Sequence, residues 1–241
     1  MSNEKNFKGS MRGEFGGSIT ISMRAYFSTY HLWAADHFSK MAGKIEDGHE
    51  GRPKFNLEHR VYVMNSVLSA AAFLEAAINE LYQDAFDNHP SYLGNIDEQL
   101  NNKLAAVWEV TEQEKKRTLR PLEKYQIVLG FADKEKFITG ENPYQNAKFV
   151  IELRNFITHY KPMSLGGKVK HKLESHLRGR FALNKMLEKS GNPDFPDKML
   201  SKGCAEWSLQ SVKDFADEFF KRMSIQPNYQ KVDIDKLAGK K

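Results

Sequence analysis

Arginine, asparagine and histidine fall within six residues of one another at the end of the stretch PYQNAKFVIELRNFITHY, as Arg154, Asn155 and His159. These three types suit work on phosphodiesters. An arginine offers a permanent charge and a fixed fork of donors to phosphate oxygens. A histidine takes or gives a proton near neutral pH. An asparagine orients either partner. On RNA, the neighbouring 2′-OH would attack the phosphate, with His159 as base or acid and Arg154 against the developing negative charge. No metal is required by this chemistry, and no cofactor is expected.

The spacing sets limits. Arg154 and His159 are five residues apart, which on a helix is about 140° of rotation. Asn155 and His159 are four apart and share a face. R-x4-H alone recurs by chance in roughly one chain in three of this length, R-N-x3-H in roughly one in a hundred. Asn155 therefore carries most of the information. The same residues also fit a plain helix end, where cations sit favourably against the helix dipole.

An element must hold them. Phe149, Val150, Leu153, Phe156 and Ile157 have helical spacing, which predicts a helix over Pro143–Tyr160, with Asn142 as N-cap and Pro143 at the first position. A second, more apolar helix is predicted over Leu57–Ala85, central and deeply buried, with small residues at Ser69–Ala72 for close helix approach. It carries Glu75 and Asn79 on one face. A carboxylate on so apolar a helix is costly if buried unpaired. It either faces solvent or a backbone group, or pairs with Arg154 and fixes its orientation.

The string RNFITHY resembles the R-x4-6-H motif of the HEPN superfamily, in which a polar residue, often Asn, commonly follows the arginine. Leu74-Glu75-x-x-Ile78-Asn79 resembles an early core helix of that superfamily. Together the two matches span roughly Leu57–Tyr160. The resemblance implies an α-helical bundle that dimerises with its motifs facing a shared cleft. For active members it implies metal-independent endoribonuclease activity in defence or toxin–antitoxin systems, and Arg154, Asn155 and His159 take catalytic roles by matching the motif. Some toxin members have a tyrosine two residues after the histidine. Here Lys161 stands there and Tyr160 is adjacent, so regulation through that tyrosine does not carry over directly.

The rest of the chain fits an all-α reading. The first helical pattern runs from Ser18 past Met41 and stops near Gly43–Gly48. A charged helix is predicted over Asp97–Arg117 and a short one over Leu122–Phe131. Another runs from His171 to Lys189, interrupted by Gly179, and the last covers Ala205–Ile225 with Trp207, Val212, Phe215, Phe219 and Met223 on one face. No run alternates with period two. The expected architecture is an up-and-down bundle of six to seven helices over residues 18–226, between a mobile arm (1–17) and a frayed polar tail (227–241).

Charge is uneven. The net charge is +5, yet residues 161–189 alone hold eight Lys/Arg and two Glu, leaving the remainder at −1. This segment is either a solvated loop or, with Lys161, Lys168, Lys170 and Lys172, a cradle for an RNA backbone. The N-terminus lacks the apolar core of a signal peptide, the longest apolar run is short for a membrane span, and Cys204 is the only cysteine. A cytoplasmic protein without a membrane partner is expected. His171 and His176 lack the companions of a metal site. Two functions stand: a HEPN-type ribonuclease, dimeric, with an antitoxin or defence-system partner; or a non-catalytic helical module that binds a partner protein or a nucleotide.

Overall fold

The computed structural model describes residues 24–93, 96–113, 119–162 and 171–231. The expected arm at 1–17, the helix start at Ser18, Lys168, Lys170 and the tail beyond 231 lie outside them. Among the described residues there is no strand. The α-helices are α1 (Phe27–Asp47), α2 (Leu57–Phe86), α3 (Pro90–Leu93), α4 (Glu98–Trp108), α5 (Pro121–Phe131), α6 (Tyr144–Thr158), α7 (Lys172–Leu177), α8 (Lys202–Met223) and α9 (Asn228–Lys231). The count exceeds the expected six to seven because α3, α7 and α9 are short single elements of four to six residues.

Helix α2 is the axis of the fold, touching α1, α3, α4, α5, α6 and α8. Its most apolar 18-residue window has mean hydropathy 1.6, enough by length and composition to cross a membrane, and half of that window is buried inside the protein. The small residues act as expected. Ala70 and Ala71 are buried against the core; one turn before them, Ser66 Oγ donates to the Ala35 carbonyl of α1 at 2.8 Å. Asn56 caps α2 by accepting from the His59 N–H. Tyr82, Tyr125, Phe215, Phe219 and Phe220 form the main core; Phe215 and Phe219 lie there as the α8 periodicity predicts, and Phe220 joins them. A second cluster, with Val67, Phe149, Leu153, Leu177 and Phe195, seats α6 and α7.

Four local expectations change. Pro143, not Asn142, stands at the N-cap of α6, without a side-chain cap bond. The helix expected over His171–Lys189 closes after Leu177, and Gly179 adopts φ +77, a left-handed turn that a glycine enters at no steric cost. The Asp97 helix passes into a π-helical turn at Glu109–Gln113. The tail does not fray at once: Tyr229 is buried and its OH donates to Asp217 at 2.9 Å.

Buried acids tie distant segments together. Glu46, in the last turn of α1, accepts from the Lys202 N–H at 2.7 Å and the Lys185 N–H at 3.1 Å, and faces His59 Nε2 at 2.9 Å. On α2, Glu80 accepts from the Ser28 N–H at 2.7 Å and the Ser28 hydroxyl at 2.6 Å. It thereby caps α1, whose own N-cap Tyr26 makes no such bond. Asp84 receives Arg24 Nε at 2.7 Å and the Tyr26 hydroxyl at 3.1 Å.

These acids titrate with opposite signs. Burial pushes Glu46 up, but His59 and the two backbone N–H groups outweigh it and hold its carboxyl below the ordinary range. Its stabilisation is therefore present above the ordinary carboxylate value and lost as pH falls through the lowered one. Burial raises Glu80 and Asp84 against their donors. Their contribution is full below the ordinary value and lost as pH rises through the raised one. Urea unfolding followed across pH is expected to show both limbs, and Glu80→Gln to flatten the upper one. An unchanged upper limb in that variant would refute the assignment.

Candidate functional site

Helix α6 packs Val150, Leu153 and Ala147 inward and leaves one side to solvent. Arg154 stands at the edge next to α2. Its Nη2 lies 3.3 Å from Glu75 Oε2, with the two side chains 26% and 47% exposed. The alternative in which Glu75 pairs with Arg154 is thus the observed geometry. Arg154 Nε is buried and meets no acceptor among the described residues, so the guanidinium is held at one corner while one donor remains unspent.

Asn155 is exposed, and its carbonyl accepts the His159 N–H at 2.9 Å. His159 ends the helix as C-cap, with φ −108 and ψ 34, and its ring is exposed. Asn155 and His159 therefore share a solvent-facing strip, while Arg154 leaves the helix toward α2. Tyr160 is exposed and sets its ring edge-on to Phe156, centroids 5.5 Å apart. Lys161 follows, also exposed.

Asn79 does not join this group. Its Oδ1 accepts from Lys124 Nζ of α5 at 2.9 Å, and it lines a cavity at the start of α1. The sequence correctly placed Asn79 beside Glu75 on α2, but a helical wheel cannot say which neighbouring helix each residue meets.

The basic segment is less free than its charge suggests. Arg178 pairs with Glu174 and Asp194. Arg180 lies over the Phe149 ring at 4.7 Å and bonds Asn146, Gln145 and the His176 carbonyl. Lys185 Nζ is 3.6 Å from Asp47. Lys161 and Lys172 are exposed, and neither makes an ion pair among the described residues. Summed charge along a sequence does not distinguish cations already neutralised from those open to a ligand.

One constellation escaped the sequence. His176 Nδ1 lies 3.3 Å from Glu152 Oε2, and its ring stacks on Phe149 at 4.6 Å. Glu152, Asn155 and His159 follow one another at i, i+3 and i+7 along α6, so this imidazole–carboxylate pair borders the strip that carries His159. The signal was present as that spacing, but nothing in the sequence attached His176 to Glu152. Cys204 is fully buried and its thiol is pushed up to about 12 by burial, as fits a core residue and not a nucleophile. Among the described residues no group of three or more His, Cys, Asp or Glu is gathered to hold a metal.

No family model, no curated protein and no solved structure matches the chain. What the site does must accordingly be argued from its own geometry.

The Glu75–Arg154 pair makes a separable prediction. Both side chains are partly exposed, so Glu75→Ala is expected to cost under about 1 kcal/mol in stability. A cost above about 1 kcal/mol would mean that the pair is buried more tightly than its exposure shows.

Proposed function

We propose that this chain is a metal-independent endoribonuclease of the HEPN type. The observation that carries the proposal is the end of α6: Arg154 held by Glu75, and beside it Asn155 and His159 exposed with no competing side-chain partner among the described residues. His159 takes the proton of the ribose 2′-OH as that oxygen attacks phosphorus. The bond to the 5′ oxygen breaks, that oxygen takes a proton from water, and a 2′,3′-cyclic phosphate is left. Arg154 meets the negative charge that grows on the phosphoryl oxygens. Lys161 and Lys172 hold the flanking backbone, with Lys168 and Lys170 between them in sequence. Tyr160 lies beside the site as a stacking surface.

A homodimer belongs to this proposal, because Arg154 and His159 diverge by about 140° around α6. A second copy would bring the facing cation or imidazole to one phosphate. A cytoplasmic setting and an antitoxin or defence-system partner come with the HEPN reading. The same divergence favours one competing reading, a non-catalytic helical module that binds a protein or nucleotide. The purified protein incubated with single-stranded RNA, with and without EDTA, separates them. Cleavage that survives EDTA and yields cyclic-phosphate ends supports the ribonuclease. Intact RNA at neutral pH supports the module.

A further inference from the structure

A cavity of about 460 Å³ opens between the start of α1, the C-terminal part of α2 and the end of α4. It is separate from the α6 strip, and its lining mixes aromatic rings and side-chain amides with Arg24, Glu80 and Asp84. Asn79 and Gln83 face it one turn apart on α2, with Trp108 behind and Phe27 at its edge.

The two amides have fixed orientations. Asn79 Oδ1 accepts from the Lys124 ammonium at 2.9 Å, and a cation cannot face an NH2. Gln83 Oε1 accepts from the Trp108 indole N–H at 2.8 Å, and Gln83 also bonds the Asp87 carboxylate. The carbonyl ends are therefore spent inside the protein. Asn79 Nδ2 meets no acceptor among the described residues. The Glu80 and Asp84 carboxylates also line the cavity, but Glu80 accepts from Ser28 and Tyr92, and Asp84 from Arg24 and Tyr26. The polar group left for a ligand is the Asn79 NH2. Phe27 is 61% exposed, an unusual position for a large apolar ring at the first residue of a helix. The charges at the edge cancel or lean negative, since Arg24 is bound by Asp84 and Asp87. A phosphate is disfavoured there.

The geometry points to a pocket for a purine base with an acceptor edge, entered base first with the phosphate left outside. Guanine and hypoxanthine present O6 and N7 as acceptors to the N–H donors of the Asn79 amide. Adenine presents a donor at N6, which would meet the same donors head-on. Phe27 supplies the stacking face, since the Trp108 ring is occupied by Tyr82 at 5.7 Å and by Lys124 Nζ at 4.7 Å. On an RNA, the pocket lies close to the cleavage site, because Asn79 is one helical turn, about 6 Å, beyond the Arg154 partner Glu75. That last link, a guanine next to the cut, rests on the ribonuclease reading; the binding itself does not.

The test is a ligand-observed NMR titration of the full chain with inosine and with adenosine, which carry the two edges without a phosphate. Inosine is expected to bind at least tenfold more tightly. Asn79→Asp keeps the oxygen that Lys124 bonds and replaces the NH2 by an acceptor; it is expected to abolish or invert the preference. Phe27→Ala, at an exposed position, is expected to weaken both nucleosides about tenfold or more. No binding to millimolar concentrations, or a preference that Asn79→Asp leaves intact, overturns the pocket. His159→Ala serves as control and should bind inosine like the wild type. Inosine binding without RNA cleavage would leave the pocket standing and remove the ribonuclease, and cleavage without inosine binding would do the reverse.

Discussion

His159→Ala is expected to lower RNA cleavage by about 10²- to 10⁴-fold while leaving the fold unchanged. The ring is exposed at the end of α6, so its removal opens no cavity and strands no buried partner. Its backbone N–H bond to Asn155 survives the substitution. The loss should therefore be in kcat, with thermal unfolding shifted little. Arg154→Ala should match it within about tenfold, since the loss of a cation at the developing charge costs about 10²- to 10³-fold. Arg154→Lys should not rescue, because an ammonium does not reproduce the fork that Glu75 orients. Rates are read on a single-stranded RNA with labelled ends, and melting curves on the same preparations. A His159→Ala protein that cleaves at the wild-type rate would sink the catalytic assignment, whatever becomes of the fold.

Glu46→Ala is expected to be the most damaging single change to stability outside the apolar core, at about 3–5 kcal/mol. Its carboxylate is 3% exposed and gathers the end of α1, the start of α2 through His59, the Lys185 turn and the start of α8. Alanine leaves two backbone N–H groups and an imidazole without their acceptor in a dry setting, the costly half of breaking a buried pair. For a chain of this size the melting temperature should fall by roughly 10 °C. Glu46→Gln retains one acceptor oxygen and should lie between. Melting curves of the three proteins at pH 7 check the order. A fall of under about 1 kcal/mol in Glu46→Ala would mean that water replaces the carboxylate and that the four segments do not depend on it.

The two predictions differ in how far the sequence alone could lead to them. Arg154, Asn155 and His159 were legible because their information is local: three residue types at fixed spacing on a helix whose apolar face is written in the same stretch. The α8 core face was legible for the same reason, with Phe215, Phe219 and Met223 buried as their spacing requires. Boundaries failed where one residue outweighed the pattern. The basic helix ends after Leu177, with Gly179 in the turn beyond it, and the interior of that segment is held by Asp194 and Asn146, which lie elsewhere in the chain. Glu46 gave no signal at all, since its three partners lie 13, 139 and 156 residues away.

By itself, then, the sequence determined that the chain is helical, that an apolar helix from Leu57 lies at its centre, and that one helix carries an arginine, an asparagine and a histidine near its end. Periodicity and composition suffice for this, because a helix presents the same faces wherever it is placed. Only the tertiary structure decided which groups meet across helices. It set Glu75 against Arg154 but turned Asn79 away to Lys124 and a cavity, although the two stand one turn apart on the same helix. It paired the half-exposed Arg178 with Glu174 and Asp194, tied Arg180 to Asn146, and joined His176 to Glu152 beside the His159 strip. The physical reason is that ion pairs and hydrogen bonds act over about 3 Å, a distance set by how helices pack and not by how far apart residues lie along the chain.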